Sequence, residues 1–181
     1  MRNYSSEAFV LARRNFGEAD RILTLFTRDF GKISVIAKGV RKPTSRKRGG
    51  IEIFSHIKFS AISGKTLDIL IEVKVINAFD EVRHDLRRVS IGYYISELIT
   101  KITRDNEEHS EIFNVLKKYF LKLTTSKNLK QLRLEFIQEV LTTLGFWPDG
   151  KKMDNPDLVL ESVIERKMHS SRVGKKMLQR G

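Results

Sequence analysis

Residues 17–50 read GEADRILTLFTRDFGKISVIAKGVRKPTSRKRGG, and this stretch decides the fold. Arg21 to Arg28 and Lys32 to Lys38 are runs of β-branched and aromatic residues, which predicts two strands. Asp29-Phe30-Gly31 joins them as a turn in which glycine takes a positive φ at no steric cost. Past Ala37 the pattern ends in a loop where Lys38, Arg41, Lys42, Arg46, Lys47 and Arg48 occur with no acid among them. Like charges at this density repel one another, so the loop is read as a site for a polyanion.

Upstream, Phe9, Val10 and Leu11 mark a first strand over Ser6 to Phe16, with Arg13 and Arg14 on opposite faces and a turn at Gly17. Downstream the period of two is clearest. Ile51, Ile53, Ile57, Phe59 and Ala61 alternate with polar residues, and Leu67, Ile69, Ile71, Val73 and Val75 do so again after a Ser63-Gly64-Lys65 turn. Five antiparallel strands with one longer connection after the third suit a small closed barrel of the OB type, although an open sheet packed on helices satisfies the same pattern. From Asp80 the period becomes helical.

Val82, Leu86, Val89, Tyr93, Leu98 and Ile102 form one apolar face behind Asp80 as N-cap. Asp105 with Glu108 has capping-box spacing before a second helix carrying Ile112, Leu116, Phe120 and Leu123. A third runs from Asn128 to Leu144 and stops at Gly145. After the Phe146-Trp147-Pro148-Asp149-Gly150 loop, Asn155-Pro156-Asp157 starts a short helix with Leu158, Val159, Val163 and Ile164. The order of the tail from Lys167 to Gly181 is left open. The expected fold class is therefore α+β, with a five-stranded barrel over 1–79 and a helical domain over 80–181.

With 181 residues, 40% of them hydrophobic, the chain can bury a core. The formal charge is +12, and residues 1–80 hold 15 cations against 8 acids. Such a surface suits nucleic acid, an anionic membrane or an acidic protein, and charge alone does not choose among them. No run reaches the roughly 18 apolar residues of a spanning helix, and the first residues lack a signal peptide's apolar segment, so a cytoplasmic protein is expected. There is no cysteine. Disulfides, thiol catalysis and cysteine-held metals are thereby excluded.

Glu18-Ala19-Asp20-Arg21-Ile22 after Gly17, then Leu25, Thr27, Gly31-Lys32, Ala37-Lys38-Gly39, Ser45, Arg48 and Gly49-Gly50, resemble the N-terminal domain of the RecO family of bacterial recombination mediators. Leu144-Gly145-Phe146 with Pro148, and Ser171-Arg172, extend the resemblance more thinly. It implies the OB barrel, binding of single- and double-stranded DNA, annealing of complementary strands, and a complex with RecR that helps load RecA on DNA covered by single-strand binding protein. It also implies a nucleoid-associated protein without membrane or small-molecule partners. In the family four cysteines often hold a zinc after the Leu-Gly loop, where this chain has Lys151-Lys152-Met153-Asp154-Asn155. The zinc module is expected to be missing or replaced by packing.

The DNA-binding residues expected are the six loop cations together with Arg13, Arg14, Arg21, Arg28 and Lys32 from the neighbouring strands. Phe16 and Phe30, in turns, suit packing or stacking on unpaired bases. Tyr93 is assigned to the core and Tyr94 to the surface. Glu18 and Asp20 invite a general acid–base reading but have no histidine or further acid beside them, so a turn role is favoured. His56, His84, His109 and His169 show no ligand spacing, and no phosphate-binding glycine motif is present. No catalytic residue, metal or cofactor is expected. Two competing readings are an adaptor whose basic surface receives an acidic partner tail, and an RNA-binding OB protein.

Overall fold

The structure, a computed structural model, describes residues 3–45 and 47–165. Five strands, β1 (Asn3–Phe16), β2 (Asp20–Thr27), β3 (Gly31–Ala37), β4 (His56–Ile62) and β5 (Asp68–Asn77), close into a barrel in the order β1-β2-β3-β5-β4. This is the OB fold. One neighbour relation departs from the all-antiparallel expectation: β3 runs parallel to β5 through Val35–Asp68 and Ile36–Ile69. Closure leaves no long sheet edge open, because each strand finds a partner on both sides for at least part of its length.

The fourth and fifth strands differ from their sequence reading for identifiable reasons. Arg48–Ile51 is a 3-10 turn, and Phe54 takes φ 76°, so the alternation from Ile51 to Ile53 belongs to a connection and β4 starts only at His56. Ile51 enters the barrel core while Phe54 enters the helical core, and the chain between them must turn over to serve both. In β5 the register slips where Ser60 and Ala61 face Glu72 and Leu70. Ile71 is the extra residue, which places Leu70 inside and leaves Ile71 45% exposed.

The helices are α1 (Asp80–Arg83), α2 (Leu86–Ile102), α3 (Ser110–Thr125) and α4 (Leu129–Thr143), and residues 156–165 are helical as α5. Asp80 is not the cap of one long helix. The chain breaks after a single turn, and the Asp85 side chain accepts from the Arg87 and Arg88 amides as the N-cap of α2. Leu86, expected in the core, is therefore in the exposed first turn. Asp105 does not cap α3 either, whose N-cap position is His109 without a side-chain bond. Asn128 caps α4 and Asn155 accepts from the Leu158 amide at α5, and both helices start where the sequence indicated. Leu160 rather than Leu158 lies on the buried side of α5.

Two apolar clusters hold these parts. The barrel interior contains Val10, Leu23, Leu25, Val35, Ile57, Phe59 and Leu70. The helical core takes Phe113, Phe120, Phe136 and Val140 and continues into the barrel wall through Phe9, Leu11, Phe26 and Phe54. Phe9 is the centre of that junction, with its ring 5.3 Å from both Phe113 and Phe120 and 4.7 Å from His56. The tyrosine assignments are reversed: Tyr93 is 51% exposed, and Tyr94 is half-buried beneath the Arg133 guanidinium.

Candidate nucleic-acid interface

The basic loop is attached at both ends by apolar residues. Val40 and Ile51 are fully buried in the barrel core, so residues 41–45 and 47–49 are held outside it as a short arch. Hydrogen bonds tie the arch to the β1–β2 turn. Asp20 accepts from the Gly39 amide at 2.7 Å, the Arg41 amide donates to the Ala19 carbonyl at 2.9 Å, and the Arg41 guanidinium reaches the Gly17 carbonyl at 3.3 Å. On the far side Lys47 donates from Nζ to the Leu70 carbonyl at 2.8 Å. The loop is thus a built structure, and Asp20, read from sequence as a turn residue, is the first residue of β2 and braces the loop with its carboxylate.

Its cations divide accordingly. Lys38, Arg41 and Lys42 are exposed, and Arg14 joins them from the end of β1. None of these four is in an ion pair among the described residues. Arg21, half-buried, donates from Nε to Asn15, and Arg13 pairs with Glu52 across the barrel mouth. Lys47 is partly withdrawn by its carbonyl. Arg46 lies outside the described residues, and only the backbone of Arg48 is described. Phe16 stands 47% exposed beside this cluster and is free to stack, whereas Phe30 packs edge-on against Tyr4 at 4.9 Å.

Two of the expected residues do not belong to the cluster. Arg28 is at the opposite end of β2, seven residues from Arg21 and so about 23 Å along the strand. There it pairs with Glu7 at 2.9 Å and lies 5.0 Å over the Phe113 ring. Lys32 is 8% exposed. Its ammonium donates to the Thr100 and Thr103 carbonyls at 2.6 and 2.9 Å and meets Asp105 at 3.2 Å, at the C-terminus of α2 where a cation is favoured. Sequence patterning sees that a residue is a cation on a strand and cannot see which end of the strand is covered.

The residues after Gly145 do not fit the zinc site that the family resemblance implies. Met153 is buried in the helical core, and Trp147 donates from Nε1 to the Lys151 carbonyl at 2.9 Å. Residues 151–155 offer one carboxylate, Asp154, and no thiolate or imidazole, which is not a zinc donor set. Among the described residues no group of three or more His, Asp or Glu is placed to hold a metal. No helix among them is long and apolar enough to cross a membrane.

Comparison with known proteins agrees with this architecture. Residues 1–79 match the family model described as recombination protein O N terminal, and residues 83–152 match recombination protein O C terminal. The chain is 34% identical over 148 residues to the DNA repair protein RecO of Pelotomaculum thermopropionicum, covering 82% of this chain and 57% of that one. It is 34% identical over 145 residues to the RecO of Desulfitobacterium hafniense, covering 80% and 53%. With the RecO of Heliobacterium modesticaldum it shares 42% over 106 residues, or 59% and 39% of the two chains. The chain spans little more than half the length of the first two of these relatives. With an OB barrel and a helical layer each matching its own half of one family's pattern, the chain belongs to the RecO family.

Proposed function

We propose that the chain acts in bacterial DNA repair as the nucleic-acid-binding part of a recombination mediator. It binds single- and double-stranded DNA through the arch and the adjacent end of β1, and brings complementary strands together for annealing. With RecR it helps load RecA on DNA covered by single-strand binding protein. The observation that carries this reading is the exposed group Arg14, Lys38, Arg41 and Lys42, in no ion pair among the described residues, at one end of an OB barrel beside the exposed Phe16. Placing these cations on phosphates releases condensed counterions, and the neutralised strand admits a second one. The reaction is physical, so no cofactor and no catalytic residue enters it.

The test is fluorescence anisotropy of a labelled single-stranded DNA oligonucleotide across a salt series, with an RNA of equal length beside it. Four contacts predict a log–log slope of about −3 for the wild type. The triple variant Lys38→Ala, Arg41→Ala, Lys42→Ala is expected to lose both affinity and most of that slope. Equal binding by variant and wild type would remove the arch from the function. A preference for the RNA would favour the translational OB reading instead.

A further inference from the structure

We propose a second binding site for a single nucleic-acid strand on the outer wall formed by β4 and β5, with Lys58 and Lys74 on its phosphates and a base in the pocket beside Ser60 and Ile71. It rests on the nucleic-acid reading of the arch and adds a second surface to it.

The register places Lys58 directly opposite Lys74 on one side and Glu7 on the other. Since Ile57 and Phe59 on either side of Lys58 are buried in the barrel, this rung faces outward. Both lysines are exposed, and neither is in an ion pair among the described residues. Glu7 does not neutralise them, because its Oε2 is shared between Arg28 and His56, each at 2.9 Å. Lys117 adds a further exposed cation close enough to His56 to disfavour its protonated form. Like charges directly across a strand pair are destabilising, and an anion laid over the rung removes that penalty.

The neighbouring rung supplies a place for a base. Asn3, Ser5, Ser60 and Ile71 line a shallow pocket of about 240 Å³, two residues or about 7 Å along the strand from the lysine pair. Its amide and hydroxyls offer hydrogen bonds to a base edge. Ile71 offers an apolar surface for its face, having been turned outward by the β5 bulge, and a second slip at His56/Ile57 leaves Ile76 49% exposed on the same strand. Bulges of this kind re-aim side chains at functional surfaces. Glu72 stands opposite Ser60 and repels phosphate from that rung, so the strand's backbone is kept over the lysines and the base falls toward the pocket. Only an unpaired base can enter, which selects a single strand over a duplex.

The arch reaches β5 through Lys47 at the Leu70 carbonyl, four residues or about 13 Å along that strand from Lys74. One chain therefore has two separate places for two strands, as annealing requires.

The variant Lys74→Glu turns the cross-strand pair into an attractive one, so it should keep or raise the melting temperature, and Ser60→Trp fills the pocket. We expect both to retain single-strand binding through the arch while slowing annealing of a complementary fluorescent pair by about tenfold or more, from the lost phosphate and base contacts. Because the chain has no cysteine, Lys74→Cys can carry a thiol-linked photocrosslinker, which should capture the second strand added to a one-strand complex. Annealing at the wild-type rate by Lys74→Glu and Ser60→Trp, with no capture from position 74, would overturn the second site and leave the arch standing. A wild type that binds no strand at all would overturn both.

Discussion

Lys32 and Lys38 lie at the two ends of β3, about 20 Å apart along one strand, and their environments are opposite. Lys32 is buried and its ammonium closes the C-terminus of α2 by donating to two carbonyls. Lys38 is exposed at the foot of the arch with no acid against it among the described residues. The same division runs through the rest of the barrel. At the helical end Arg28 holds Glu7, and Arg83 donates to the Ile53 carbonyl and Ser55. At the arch end Arg14, Arg41 and Lys42 project to solvent. Cations near the helices hold the two layers together, and Arg14, Lys38 and Lys42 at the arch end are exposed and outside any ion pair among the described residues.

Variants at the helical end should damage the fold and spare the surface. Phe9→Ala removes the ring on which His56, Phe113 and Phe120 converge and is expected to cost about 3–5 kcal/mol in denaturant melts. Lys32→Met keeps the aliphatic stem but strands two carbonyls that now accept from the ammonium. A loss of about 2–3 kcal/mol is expected, with DNA affinity of the folded protein unchanged. A Lys32→Met protein that is fully stable yet binds DNA weakly would reverse the assignment of that lysine and break the comparison.

At the arch the expectation inverts. Lys38→Ala with Lys42→Ala should change stability by no more than about 0.5 kcal/mol, since neither side chain holds anything in the fold. The same pair should flatten the salt dependence of single-strand binding by about 1.4 in log–log slope, or 0.7 for each contact removed. Stability loss in that double variant would show that the arch is braced by its cations rather than by Val40, Ile51 and Asp20.

How much of this was legible depended on whether the signal was local. The turns at Gly17 and Gly31, the second and third strands and the helix starts at Asn128 and Asn155 are local, and they stand where the sequence placed them. Gly31 shows where local reading stops. Its positive φ was foreseen, whereas the approach of the Glu107 carbonyl to 1.8 Å from where a Cβ would sit is a tertiary contact with no local trace. The β5 bulge was hidden because Ile69, Ile71, Val73 and Val75 read as an unbroken alternation, and only the pairing with Ser60 and Ala61 breaks it. The arch was legible as charge. Its attachment was not, because a lone Val40 among lysines and arginines gives no period, and burial of one side chain is decided by the barrel beneath it.

The smallest effect expected is a pH dependence located at the junction between the two ends. His56 is buried against Phe9, and burial is the main reason its pKa lies below the ordinary 6.5. The Glu7 carboxylate opposes that shift, and the charges of Lys117 and Arg28 add to it. A histidine whose folded pKa is depressed binds its proton more readily in the unfolded chain, so stability is full above 6.5 and is lost as the pH falls from there toward the folded pKa. Melting curves between pH 7.5 and 5.5 should therefore show a decline in the wild type that is shallower in His56→Gln, whose amide keeps a donor for Glu7. Carboxylates elsewhere titrate alike in both proteins and cancel in the comparison. Parallel curves would mean that His56 binds its proton as readily in the folded chain as in the unfolded one, with Glu7 at 2.9 Å offsetting the aromatic surface on which the ring is stacked.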